Sequence, residues 1–143
     1  LEAEGPKGRN NVMTTKVEQG YQYTATHEWV RVEGSRAFVG VTDFAQHAMG
    51  NVVYVELPEA GKALQAGEDF CVVESVKGAH DIFAPVSGTV AEVNGDLEDA
   101  PQKVNEDPYG SWIAVIDMSR PDELKGLMDA AAYAAHCENA PAH

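Results

Sequence analysis

Two cysteines in 143 residues, Cys71 inside an apolar run and Cys137 near the C-terminus, are too few for a disulfide framework, and no Cys-x-x-Cys pair occurs. Both are read as reduced thiols in a cytosol-like compartment. Basic residues are equally scarce: ten Lys and Arg stand against 23 Asp and Glu, a formal net charge of −13. Such a field repels nucleic acid phosphates and anionic lipid headgroups, so neither nucleic acid nor membrane is an expected partner. No apolar run approaches the roughly 20 residues needed to span a bilayer, and a soluble protein is expected. Residues 1–12 lack an apolar h-region and carry Glu2 and Glu4, which excludes a secretory signal and an Arg-rich presequence within them. They read as a cloning remnant or disordered tail ahead of one domain over residues 13–143.

Chemistry of the usual kinds is also missing. His27, His47, His80, His136 and His143 show no zinc-ligand spacing, and the acids at 96–99 and 106–107 lack the Gly and terminal Glu of a calcium loop. No metal site is expected. No Gly-rich phosphate loop follows a strand, and no motif assembles nucleophile, base and orienting acid, so no catalytic residue is assigned.

What the chain does have is strand patterning. Trp29 to Val32 and Ala37 to Val41 flank Glu33-Gly34-Ser35, which predicts an antiparallel hairpin. Thr42 is placed to cap a short helix from Asp43 to Met49, with Gly50 ending it in a left-handed conformation. Val52 to Leu57, Phe70 to Val76, Asp81 to Phe83, Thr89 to Val93 and Trp112 to Ile116 read as further strands. Asn94-Gly95, Pro101 and Pro108-Tyr109-Gly110 mark a loop. Ser119 and Asp122 around Pro121 suggest a capping box. Leu124, Leu127, Met128, Ala131 and Ala135 recur at helical spacing and predict one or two helices closing the chain against the sheet. The aromatics Trp29, Tyr54, Phe70 and Trp112 are expected in the core or at its edge.

The sharpest local feature is Glu74-Ser75-Val76-Lys77-Gly78-Ala79-His80-Asp81, where a β-rich run meets a small-residue turn and returns as Ile82-Phe83. Lys77 should sit at a hairpin tip with its ammonium in water. From turn chemistry alone it is an ordinary solvated lysine.

The wider motif changes that reading. Ala84-Pro85-Val86-Ser87-Gly88-Thr89-Val90 resembles the segment that follows the modified lysine in lipoyl and biotinyl domains. Thr26-His27-Glu28-Trp29-Val30, Gly40-Val41-Thr42-Asp43-Phe44-Ala45-Gln46, Gly50-Asn51-Val52-Val53-Tyr54-Val55-Glu56-Leu57-Pro58, Glu74-Ser75-Val76-Lys77 and Val104-Asn105-Glu106-Asp107-Pro108-Tyr109-Gly110 resemble motifs of the glycine cleavage H proteins, from about Tyr21 to Cys137. Gly78 and His80 depart from that family's usual residues, and the junction at Gly110-Ser111-Trp112 is one residue shorter.

The resemblance implies a mainly β fold, the barrel-sandwich hybrid or lipoyl-domain hammerhead, with a short helix and a C-terminal helical segment. It implies lipoate covalently attached at Lys77, with Glu28 and Asp81 as contacts for the loaded arm and Trp29 as a shield of the same cleft. It implies a monomeric, non-catalytic carrier. Its partners would be glycine decarboxylase, which loads an aminomethyl group; a tetrahydrofolate-dependent aminomethyltransferase, which takes it; dihydrolipoyl dehydrogenase, which reoxidises the dithiol; and a lipoate ligase or lipoyl transferase. Lysine plus lipoyl would reach on the order of 14 Å from covalent dimensions, and tethering keeps the carried group at high local concentration. The expected compartment is cytoplasmic in a bacterium, or the mitochondrial matrix in a eukaryote whose presequence has been removed. Lipoyl donation to other complexes is the alternative carrier role. Ser75-Val76-Lys77-Gly78 argues against a biotin carrier or a 2-oxoacid dehydrogenase lipoyl domain. A degenerate binding module or enzyme on the same fold is the reading from another class.

Overall fold

The computed structural model describes residues 15–139; the tail at 1–12 and His143 lie outside the described residues. Strands β1 (Gln22–Tyr23), β2 (Glu28–Glu33) and β3 (Arg36–Val41) lead into helix α1 (Asp43–Met49). Strands β4 (Val52–Glu56), β5 (Ala63–Leu64), β6 (Asp69–Ser75), β7 (Gly78–Phe83) and β8 (Gly88–Val93) follow. Two single-turn helices, α2 (Asp96–Asp99) and α3 (Lys103–Glu106), precede β9 (Ala114–Met118), a 3-10 segment Pro121–Gly126, and helix α4 (Ala130–Asn139). The strands form two antiparallel sheets, ordered β1-β2-β3-β9-β8-β5 and β4-β6-β7.

Period-two patterning explains why the sheets pack face to face. Val55, Val73 and Val90 alternate with exposed or half-buried neighbours, and they share one buried cluster with Val39, Val41 and Ile116. Each such side chain contributes about 1.5–3 kcal/mol relative to exposure. Thr42 caps α1 as expected, its hydroxyl accepting from the Ala45 amide at 3.2 Å. Gly50 ends the helix at φ 80° and ψ −162°, a positive φ but not the compact left-handed turn that the sequence suggests.

Three expectations at the C-terminal end are corrected. The last strand begins at Ala114 rather than Trp112, because Ile113 is already engaged crosswise, donating to Val39 O and accepting from Asn94 N. The capping box does not form: Arg120 holds the N-cap position with no side-chain bond, and the Glu123 carboxylate instead accepts from the Ser87 amide and hydroxyl at 2.7 and 2.8 Å. Ala131 and Ala135 are exposed, and α4 docks through Ala130 and Tyr133. Tyr133 wins because it stacks on Tyr23 at 4.4 Å and its hydroxyl meets both Thr42 Oγ1 and His27 Nδ1 at 2.7 Å. A methyl stripe offers no comparable area.

His27 holds a φ of 75° and stacks on Phe44 at 4.4 Å. Burial lowers its pKa to about 4, and nearby His136 adds a smaller repulsion. Between that value and the unfolded value of about 6.5 the unfolded chain binds more protons, so this contribution is complete above pH 6.5 and is lost as pH falls through 4. Discounted for partial solvent screening, it is worth about 1–2 kcal/mol. Glu28, whose pKa is raised by burial, acts with the opposite sign and is common to both proteins in a comparison with His27→Asn. Urea unfolding at pH 7 and pH 4.5 should show a larger acid loss in the parent than in the variant. Equal losses would remove His27 from the acid response.

Candidate functional site

Strands β6 and β7 run to Ser75 and Gly78 and leave Val76 and Lys77 as a two-residue turn. Ser75 closes it. Its hydroxyl oxygen accepts from the Lys77 amide at 3.1 Å and lies 3.0 Å from His80 Nε2. His80 therefore has a structural partner. Gly78 follows at φ 139°, a backbone region that side chains disfavour, with open space where a Cβ would stand.

Lys77 is exposed at the tip, as the sequence predicts. Its ammonium is not wholly surrounded by water, however: Nζ donates to Ala48 O at 3.2 Å, in the last turn of α1. Helix C-termini present unpaired carbonyls and partial negative charge, which suits an ammonium there. The stem crosses Gly50, where an ideal Cβ would lie 3.4 Å from Lys77 Cε. The stem thus lies in a lane across Gly50, where a Cβ would still make only ordinary contact. Val76 donates its amide to Asn51 O at 3.0 Å, so the turn between α1 and β4 supports the hairpin tip at two points.

Glu28 and Asp81 come to the same stretch of β7 with unequal exposure. Glu28 is 2% exposed. Its Oε1 accepts from the Thr24 and Thr26 hydroxyls at 2.5 and 2.6 Å, and its Oε2 accepts from the Phe83 amide at 3.2 Å. Burial pushes its pKa up, while these donors pull it back. Asp81 is exposed, two residues from Phe83 on the same face of β7.

Trp29 is not at the surface. It is fully buried, donates from Nε1 to Pro108 O at 3.0 Å, and packs against Tyr21 with ring centroids 5.0 Å apart. Expected as a cleft shield, it instead fastens the 103–110 loop to β2, because an indole needs a partner for its N–H when buried. Phe70 is a core residue, Trp112 is half-buried, and Tyr54 is 46% exposed beside the hairpin. Cys71 is buried, with its thiol pushed up to about 12, and Cys137 is free. Among the described residues no three His, Cys, Asp or Glu side chains gather around a common point, and no helix is long and apolar enough to cross a membrane.

Sequence reasoning missed Asn105 and Gly50 as parts of the site. The signal was present in the quoted motifs, but the partners lie 53 and 55 residues apart and carry no local pattern.

Two antiparallel sheets with a lysine on a tight two-residue hairpin place the chain among lipoyl-domain-like folds. The model of the family described as "Glycine cleavage H-protein" matches residues 21–140, and the chain belongs to that family. It is 50% identical over 123 residues to the glycine cleavage system H protein of Alkaliphilus oremlandii, covering 86% of this chain and 97% of that one. Against a probable glycine cleavage system H protein of Pyrococcus abyssi it is 54% identical over 121 residues, covering 83% and 90%. A crystal structure of a glycine cleavage system H protein from Mycobacterium marinum superimposes with a TM-score of 0.76 at 36% identity, covering 83% of this chain and 97% of that one.

Proposed function

We propose that this protein is the non-catalytic lipoyl carrier of a glycine cleavage system and that Lys77 is the residue acylated. The carrying observation is the Lys77 amine, exposed on a two-residue tip, its stem free to leave the Gly50 lane. Lipoate fits this residue because amide formation needs an accessible primary amine, and the hairpin can be gripped on both sides without disturbing the core. When attached, the lipoyl group supplies a dithiolane that takes up an aminomethyl group and two electrons. Family membership supports glycine decarboxylase, an aminomethyltransferase, dihydrolipoyl dehydrogenase and a lipoate ligase or transferase as partners.

The chain's own residues hold and release the arm. Acylation removes the positive charge and two of the three N–H donors, leaving one amide N–H, so the contact with Ala48 O weakens as the arm is installed. Peptide mapping after incubation with lipoate ligase, lipoate and ATP should find one lipoyl group, at Lys77. Modification at Lys62, Lys103 or Lys125 instead, or none with a competent ligase, would overturn the assignment.

Glu28 and Asp81 are proposed to favour a cationic load on the arm. Exposed Asp81 would make the direct contact, and buried Glu28 would contribute through its charge and by bonding the Phe83 amide of β7. In open water the attraction is about 1 kcal/mol. Formaldehyde and ammonia release from aminomethyl-loaded protein should therefore run up to about fivefold faster in Asp81→Asn than in the parent, with a smaller rise in Glu28→Gln. Equal rates in all three at low salt would remove the protective role and leave Lys77 untouched.

A further inference from the structure

The turn that supports the Lys77 hairpin is itself held from behind by one amide side chain. Asn105, on α3, accepts from the Val52 amide at Oδ1 (2.8 Å) and donates from Nδ2 to Gly50 O and to Gln46 Oε1, both at 2.9 Å. Gln46 is buried and in turn donates to Asp43 Oδ1 at 2.8 Å. The asparagine thus bridges the residues on either side of Asn51 and ties them to the side chain of α1. Asn51 O is the acceptor for the Val76 amide, and Ala48 O is the acceptor for Lys77 Nζ.

Gly50 makes this bracing necessary. Its φ of 80° with an extended ψ is available essentially to glycine alone, and glycine has the most freedom to leave it. The Asn105 amide satisfies the Gly50 carbonyl and the Val52 amide together, which fixes both peptide planes flanking Asn51. A primary amide carries on one planar group the one acceptor and two donors that this task uses.

We infer that Asn105 is a positioning residue for the acylation of Lys77: by fixing the Gly50–Val52 turn it holds the Val76–Lys77 tip in the geometry that the lipoyl-attaching enzyme must grip. The inference rests on Lys77 being the acylated residue. It goes beyond that reading by assigning a role to a side chain 28 positions away, on a helix with no part in the hairpin.

Two readouts test it, on full-length Asn105→Ala with Asn94→Ala as the control. Asn94 is a comparable half-buried clamp, bonding Trp112 O at 2.9 Å away from the hairpin. The first readout is hydrogen exchange at the Val76 amide, which needs no lipoate. Asn105→Ala should speed it about tenfold relative to the parent while the core amide of Val39 keeps its protection, and Asn94→Ala should leave Val76 unchanged. The second is lipoylation by lipoate ligase with lipoate and ATP, where kcat/KM should fall about tenfold in Asn105→Ala and stay within about twofold in Asn94→Ala. Should Asn105→Ala not fold, Asn105→Asp carries the same comparison, keeping the acceptor for Val52 and losing both donors. Unchanged Val76 exchange, or equal lipoylation losses in the two asparagine variants, would overturn the inference. If the parent takes no lipoyl at Lys77, the functional reading fails, and Val76 exchange still decides whether Asn105 holds the tip.

Discussion

Lys77→Arg is expected to take no lipoyl group at all and to support no carrier activity, with the fold unchanged. Amide formation needs a neutral amine as nucleophile, and a guanidinium stays protonated at any pH at which the protein is folded. Arginine keeps the charge and the long apolar stem, and it can still donate toward Ala48 O from the Gly50 lane. Stability should therefore stay within about 0.5 kcal/mol of the parent, as for other exposed substitutions. Intact mass and denaturant unfolding check the two halves together. A lipoylated arginine variant would show that another amine is the acceptor, whereas an unfolded one would show that the tip matters to the fold. This separation of effects is what a carrier site should show: all of the chemistry and almost none of the stability sit in one side chain.

Gly88→Ala should have the opposite profile, a loss of at least about 3 kcal/mol or failure to fold. Gly88 is buried on β8, paired with Met118 on one side and Leu64 on the other. An ideal Cβ there would stand 2.1 Å from Asp117 O and 2.8 Å from Ile116 Cγ2. The first of these is a backbone atom and cannot rotate away, so β8 and β9 would have to separate and break their ladder. Gly95→Ala is the contrast. Its φ of −62° is helical and nothing lies within 4 Å of a Cβ, so alanine should be neutral or stabilise by up to about 1 kcal/mol through the unfolded chain. Thermal unfolding of the two variants should differ by about 10 °C or more. Similar melting temperatures would mean that the sheet yields at Gly88 more readily than its contacts imply.

The two glycines read alike in the sequence, each next to a β-rich run. The strands themselves were legible because burial of one sheet face imposes a period of two on neighbouring residues, a rule that acts within a few positions. The hairpin with Lys77 at its tip, the Thr42 cap and the family motifs were legible for the same reason, whereas the turn itself is tighter than the sequence suggests, with Val76 leaving the strand and Gly78 to His80 joining β7. Helices α2 and α3 were not: four residues are too few to show a period, and Leu97 and Val104 are buried by what the loop meets, not by any repeat of their own.

By itself, then, the sequence determined the β architecture, the family and the lysine raised on its hairpin, because each of these is written in adjacent residues. Tertiary structure alone decided that Tyr133 rather than Ala131 and Ala135 seats α4, that Glu28 is turned inward and Asp81 outward, that Trp29 anchors a loop, and that Asn105 braces the turn behind Lys77. The long-range partners that decide these lie 53 to 110 positions apart. A side chain's own neighbours cannot specify which distant donor, acceptor or ring will fill the space beside it. That choice is made only when the two sheets close and every buried polar group must find its partner.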